Sequence, residues 1–406
     1  MLCDDYIFVL EVIKNGEKYG NKRVGVQSTN HLGFLHPKGI NHNIRELRNN
    51  SKKEKVLLIQ TAFLGDFILT TPVIKKLSHF YGDEKVFVIA RPFASEISKS
   101  RIIPFDKDKK NKKFFEFLNT LRKIISIKPQ IAFVPHLSAT SSLLAFLPRI
   151  PIRIGFEENP LSFLFTHKIK KYGGRFEHEV ERISKILIPA GLDLKDIELK
   201  PEIFVDQNYL SKWEKFFHEV KNNYNYKVNK SIGKEKIKIV AFSPFSNWRT
   251  KTWFWWKEFL ETNKIKDFIF ILLGQKEETG NFPRNVINLS GKTSLRDVVA
   301  IIKLSDIFLG VDNGLSHIAS SFDKPSFVIF GPTIPEFGFF PLSKKFQVIE
   351  VSGLECKPCS PHGPQVCPKG HFSCMKELTP EQVEFLFLKF VNSENNLSEK
   401  NNSFTH

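Results

Sequence analysis

The side chains best suited to chemistry in this sequence crowd the ends of short apolar runs. Ile307 to Val311 stops at Asp312-Asn313-Gly314-Leu-Ser316-His317, setting a carboxylate, a turn position without Cβ, a hydroxyl and an imidazole where a helix should begin. The next run, Pro325 to Phe330, passes into Gly331-Pro332-Thr333 and offers a further hydroxyl at a second tight turn. In open α/β sheets the carboxyl ends of the strands line the binding crevice, and a helix N-terminus with free N–H groups suits a phosphate or diphosphate. Nearer the start, Val56 to Gln60 leads into Thr61-Ala-Phe-Leu-Gly65-Asp66, so the Asp66 carboxylate faces the crevice and also suits an N-cap of the next helix. Arg249 and Lys251 sit in the polar loop Asn247-Trp-Arg-Thr-Lys251-Thr-Trp253. There they either offer positive charge to an anion or lie along the surface of the neighbouring tryptophans.

These groups need a scaffold, and the pattern of apolar runs supplies one. Val56 to Ile59, Val86 to Ala90 and Ile131 to Val134 alternate with longer amphipathic stretches, the mark of parallel β-α units. After Pro201 a second set follows at Ile237 to Phe242, Phe268 to Leu273, Ile307 to Val311 and Phe327 to Phe330. Two doubly wound α/β domains are therefore predicted, 51–195 and 196–393, divided by the polar connector Gly191 to Pro201, with the active site in the crevice between them. Residues 1–50 read as an extension outside this core. The Asn-rich tail 394–406 lacks periodicity and is expected to be disordered.

With 406 residues the chain is natural for two domains, each able to bury its own core. No apolar run reaches the ~18 to 20 residues of a membrane span, and the acidic Met1-Leu-Cys-Asp-Asp start lacks the basic lead-in of a secretory signal, so a cytosolic location is expected. Sixty basic and 43 acidic side chains leave a formal charge of +17, which implies an anionic partner or surface. Nucleic acid, lipid head groups and phosphorylated glycans all satisfy that charge, but no helix-turn-helix, RRM or finger pattern supports nucleic acid. The Lys-rich runs Lys107 to Lys113 and Lys168 to Lys171 read as solvated faces, and Asp106-Lys-Asp108, set among lysines, reads as a loop and not a metal site. Cys356-x2-Cys359-x7-Cys367-x6-Cys374, stiffened by prolines and interleaved with His362 and His371, has the soft ligands of a closed structural zinc site; free thiols are the alternative.

The motifs taken in order resemble glycosyltransferase family 9, the ADP-heptose:lipopolysaccharide heptosyltransferases. Lys55-Val-Leu-Leu-Ile-Gln60 with Gly65-Asp66 and Thr71-Pro72 is similar to the family's first strand, turn and helix. Phe176-Glu-His178-Glu-Val-Glu181-Arg182, Lys251-Thr-Trp253, Val-Asp312-Asn-Gly314-Leu-Ser-His317 and Gly331-Pro332-Thr333-Ile-Pro335 follow in family order, covering roughly residues 54 to 393. The resemblance implies the GT-B architecture, with donor bound by the C-terminal domain and acceptor by the N-terminal one. It implies Asp66 as the general base of an inverting transfer and Lys251, aided by Arg249, as the charge that meets the departing diphosphate.

By the same resemblance Ser243, Ser246 and Asn247 lie near the phosphates, although the run Ser243-Pro-Phe-Ser246-Asn247 departs from the family's usual pattern. Glu277, in Leu273-Gly274-Gln-Lys-Glu277-Glu278, would accept ribose hydroxyls, and the two glutamates would also suit the start of a helix. Asp312 would cap its helix or hold a sugar hydroxyl, while Asn313, Gly314, Ser316, His317 and Thr333 approach the diphosphate. No metal is needed for catalysis. The expected donor is ADP-heptose and the acceptor an acidic, lipid-linked lipopolysaccharide core met at the inner face of the cytoplasmic membrane. Another nucleotide sugar, or a glycan-binding protein that has lost the chemistry, are the alternatives.

Overall fold

The computed structural model describes residues 54–106, 113–172, 177–194, 197–228, 237–262, 265 and 268–393. The extension 1–50, the tail 394–406 and the loop 107–112 lie outside them. The strands are β1 (Val56–Gln60), β2 (Val86–Ala90), β3 (Arg101–Pro104), β4 (Ile131–Val134), β5 (Ile152–Phe156), β6 (His167–Ile169), β7 (Lys238–Ser243), β8 (Phe268–Leu272), β9 (Val286–Asn288), β10 (Ile307–Val311), β11 (Ser326–Phe330) and β12 (Phe346–Glu350). Between and after them come α1 (Leu64–Tyr81), α2 (Ala94–Ile97), α3 (Lys113–Ile127), α4 (Ala139–Phe146), α5 (Glu179–Ser184), α6 (Gln207–Val228), α7 (Trp256–Leu260), α8 (Leu295–Leu304), α9 (Gly314–Ser321), α10 (Ser373–Lys376) and α11 (Pro380–Asn392).

Two six-stranded sheets form, in the orders β3-β2-β1-β4-β5-β6 and β12-β11-β10-β7-β8-β9, with parallel pairing throughout. Each is a doubly wound α/β unit, and together they give the GT-B architecture. Every apolar run picked out above became a strand. β1, β8, β10 and β11 are buried on both faces, which is why they read as unbroken apolar runs without alternation. Strand order reverses between β1 and β4 in the first sheet and between β7 and β10 in the second. A crevice opens at such a reversal, so Gly65-Asp66 after β1, Ser243 at the end of β7 and Asp312 after β10 all stand where a ligand can be met.

One helix links the two units directly. α1 packs against α9 of the second unit, and its apolar side chains join a core that includes residues from both sheets. Pro72 within α1 lacks the N–H that would reach the Ile68 carbonyl. The Thr71 hydroxyl donates to that carbonyl at 2.7 Å, and its oxygen also accepts from Glu202 N at 2.9 Å. Thr71-Pro72 thus keeps the helix intact and ties down the returning chain.

Candidate active site

The two motif loops meet. A Cβ on Gly65 would lie 3.0 Å from His317 Cδ2, and one on Gly314 would lie 3.2 Å from the Leu64 side chain, so the glycines allow the first turns of α1 and α9 to touch. Asp66 is the third residue of α1 and not its N-cap: Phe63 caps the helix, and its N–H donates to Asp66 Oδ2 at 3.2 Å. Burial lifts the Asp66 carboxyl above the ordinary aspartate range, while Lys171 and then His362 pull it back.

Lys251 points into the fold. Its Nζ pairs with Asp312 Oδ2 at 2.6 Å, and the Thr333 hydroxyl donates to the same oxygen at 2.8 Å. Three predicted site residues from three loops therefore form one buried cluster. Trp253, whose surface Lys251 was a candidate to cover, is core, donating its Nε1–H to Leu378 O.

Asn313, and not Asp312, caps α9. Its Oδ1 accepts from Leu315 N and Ser316 N, and its Nδ2 donates to Ser243 Oγ at 3.0 Å and Phe245 O at 2.8 Å. Two N–H groups of that helix start are thus already partnered, and the Ser316 hydroxyl donates to Asn313 O. An anion here would meet Lys251 more than free amides. His317 is 3 % exposed, and burial, with help from His178 and Lys251, pushes its pKa down to about 4 against the pull of Asp312, which keeps the ring neutral. Glu277 is exposed and paired with Lys292 at 3.0 Å. No helix starts at Glu277 or Glu278; an irregular loop runs from there towards β9.

Sequence reasoning missed a second polar cluster. Lys171, placed in a solvated run on composition, is buried, with Nζ 2.6 Å from Glu179 Oε1, while Arg182 NH1 lies 3.6 Å from Glu179 Oε2 and donates to Phe337 O. His178 caps α5 through Nδ1, which accepts from Val180 N, so its Nε2–H donates to Phe340 O at 3.0 Å. These bonds join α5 of the first unit to the loop before β12 in the second. The signal in the sequence is the family-like segment 176–182. In the first unit, Thr61 Oγ1 is 3.0 Å from His136 Nδ1 and 3.1 Å from Ser141 Oγ, a polar group beyond the ends of β1 and β4.

The four cysteines of segment 356–374 are free, with Cys374 buried and its thiol pushed up to about 12, by burial first and by Cys359 next. Among the described residues no three His, Cys, Asp or Glu side chains are grouped so as to hold a metal ion. A tetrahedral zinc would require these thiols to draw together.

Lipooligosaccharide heptosyltransferase 2 of Campylobacter jejuni is 23 % identical over 349 residues, covering 81 % of this chain and 96 % of that protein. A glycosyl transferase family 9 structure from Veillonella parvula aligns with a TM-score of 0.64 at 16 % identity, over 83 % of this chain and 97 % of that one. The Escherichia coli ADP-heptose lps heptosyltransferase II aligns with a TM-score of 0.59 at 20 % identity, over 83 % and 98 %. These alignments carry the fold. Residues 131–366, more than half of the sequence and including Lys251, Asp312 and Thr333, match the family model described as glycosyltransferase family 9 (heptosyltransferase), and the chain belongs to that family.

Proposed function

We propose that the chain is an inverting, metal-independent transferase that moves heptose from ADP-heptose to the inner core of a lipopolysaccharide. The observation that carries this reading is that the turn before Asp66 meets the start of α9, which follows Asp312 of the Lys251-Asp312-Thr333 cluster, through the Gly65–His317 and Gly314–Leu64 contacts at the junction of two sheets. Asp66 takes the proton of an acceptor hydroxyl as that oxygen attacks the anomeric carbon opposite the diphosphate. The bond to the diphosphate oxygen breaks, and Lys251 with Arg249 stabilises the charge that leaves on ADP. The relatives bearing heptosyltransferase names support the sugar, and the intact Asp66 and Lys251 disfavour a binding protein without chemistry.

A lipid-linked acceptor requires contact with a membrane. Among the described residues no helix is long and apolar enough to cross one, but α3 exposes Phe114, Phe115 at 71 % and Ile125, and the lysine-rich run 107–113 leads into it. Aromatic side chains beside lysines suit an anionic lipid surface, and we place this protein at the inner face of the cytoplasmic membrane.

One experiment tests the whole reading. The protein is mixed with anionic vesicles carrying lipopolysaccharide inner core, ADP-heptose and excess EDTA, then sedimented, and the product is examined by NMR. It should travel with the vesicles and transfer heptose with inverted configuration. Strict need for added magnesium or manganese, or a retained configuration, removes the mechanism; transfer from a different nucleotide sugar alone replaces the donor.

No step of this scheme passes through a metal, and the zinc suggested by the cysteine spacing is a separate proposal. Elemental analysis of purified protein should find about one zinc per chain, with its removal lowering thermal stability, because structural zinc binding is coupled to folding. Absence of metal together with four titratable native thiols leaves a proline-stiffened loop instead.

A further inference from the structure

The cysteine-rich segment 356–374 does more than close the fold behind the site. Its base is anchored to the second sheet: Cys359 N donates to Pro332 O at 2.9 Å, Lys357 pairs with Glu350, and Met375 packs where a Gly331 side chain would stand. Its tip reaches the loop that carries Lys251. Gln365 makes two bonds to that loop, accepting from Arg249 N at 3.2 Å and donating to Asn247 O at 3.0 Å, and the Thr250 hydroxyl donates to Pro364 O. Gly363, at φ +80°, brings its backbone so close that a Cβ there would sit 3.1 Å from both Lys251 Cγ and Pro332 Cγ.

His362 adds a contact of another kind. Its ring stacks on Trp248, with centroids 5.9 Å apart and planes 11° from parallel. Trp248 meets the Phe63 ring edge-on at 6.5 Å, and the Arg91 guanidinium lies 4.7 Å over the other end of this row, on Phe63. The row bridges the crevice from the first unit to the tip of the cysteine-rich segment, beside the first turn of the helix that carries Asp66.

We infer that residues 362–365 form a strap that holds the 247–251 loop, and with it Lys251, in the position that receives the donor diphosphate. Gln365 and His362 are positioning residues, acting through Arg249, Asn247 and Trp248. The strap rests on the proposed nucleotide-sugar site and adds to it a part that no strand-end motif contains. Both side chains are exposed, so their truncation should leave folding almost untouched while loosening the loop.

The test uses ADP as probe, with titration calorimetry on the full chain and steady-state kinetics alongside. Gln365→Ala loses two hydrogen bonds and should weaken ADP binding about fivefold, since each such bond contributes on the order of a kcal/mol or less. The donor KM should rise by a similar factor with kcat changing far less, because the loop acts in donor binding. His362→Ala should weaken ADP binding by a similar factor, and His362→Phe, which keeps the stack, should restore affinity. Gly363→Ala, which pushes on Lys251 directly, should lose more. ADP affinity within about twofold of wild type in both alanine variants overturns the strap. So does a loss accompanied by an equal fall in melting temperature and no rescue by phenylalanine. If the wild-type protein itself fails to bind ADP, the donor site falls and the strap with it, an outcome distinct from tight binding by every variant.

Discussion

Asp66→Asn is expected to lower kcat roughly 100- to 10,000-fold, the range that a positioned general base contributes, while ADP affinity stays within a few-fold of wild type. The substitution is well suited to isolating chemistry. An asparagine oxygen still accepts from the Phe63 N–H, which Asp66 Oδ2 now takes at 3.2 Å, so the start of α1 survives and only the proton acceptor is lost. The base acts in the transition state and not in donor binding, hence the effect falls on kcat and not on affinity. pH dependence gives a second readout. The half-buried carboxyl titrates above a free aspartate because of that burial, held back in part by Lys171 and His362. The base form is present above that raised pKa and is lost as pH falls through it, so the acid limb of the wild-type rate profile should lie at higher pH than an unperturbed carboxylate would give. Near wild-type turnover by the asparagine variant, with an unchanged acid limb, would reduce Asp66 to a residue that only secures the helix start.

How far the sequence could be read depended on whether a residue's role was local. Seven apolar runs became seven strands because strands buried on both faces leave no ambiguity in composition. β3, β6, β9 and β12 went unnoticed: they are sheet edges, two of them only three residues long, and their half-exposed patterns are weak. β5, an interior strand, was hidden by Arg153, which breaks the apolar run and bonds to Leu164 O at 2.8 Å. In the candidate site, the placement of Asp66, Lys251, Asp312, Asn313 and Thr333 near strand ends and motif loops was legible because it is local. Which of two neighbours caps a helix was not legible, and Asn313 took the role that Asp312 was also suited to fill. Partner choice across long separations is a tertiary matter. Lys171 lies in a run of lysines, and nothing within that run shows that it, unlike the exposed Lys168 and Lys170, enters the protein to meet Glu179. His362 is likewise unremarkable until the cysteine-rich segment folds back on Trp248.

Glu179→Ala should cost about 3 to 5 kcal/mol of stability, the scale set by stranding a buried charge. Glu179 is 3 % exposed and serves two cations, Lys171 at 2.6 Å and Arg182 at 3.6 Å, whose side chains are themselves about one-tenth exposed. Arg182 keeps its bond to Phe337 O, but Lys171 loses the carboxylate that, against the burial opposing its charge, holds its pKa above the ordinary lysine value. The loss is one of pairing more than of packing. A double variant, Glu179→Ala with Lys171→Met, removes the stranded ammonium and should therefore recover a large part of the deficit, giving a coupling well beyond additivity. Urea melts of the four proteins at neutral pH measure this directly. Function should follow the same logic, because Lys171 also acts on Asp66: freed from Glu179, its ammonium is left to the Asp66 carboxylate and should stabilise the ionised form. The acid limb of the rate profile in Glu179→Ala should accordingly move to lower pH even where enough protein folds to be assayed. A deficit under about 1 kcal/mol with additive double-variant behaviour would mean that water reaches these charges, as for an ordinary surface pair, and that the joint between α5 and the loop before β12 is held by the bonds of His178 and Arg182 and by the backbone bond from residue 179 N to Gly338 O.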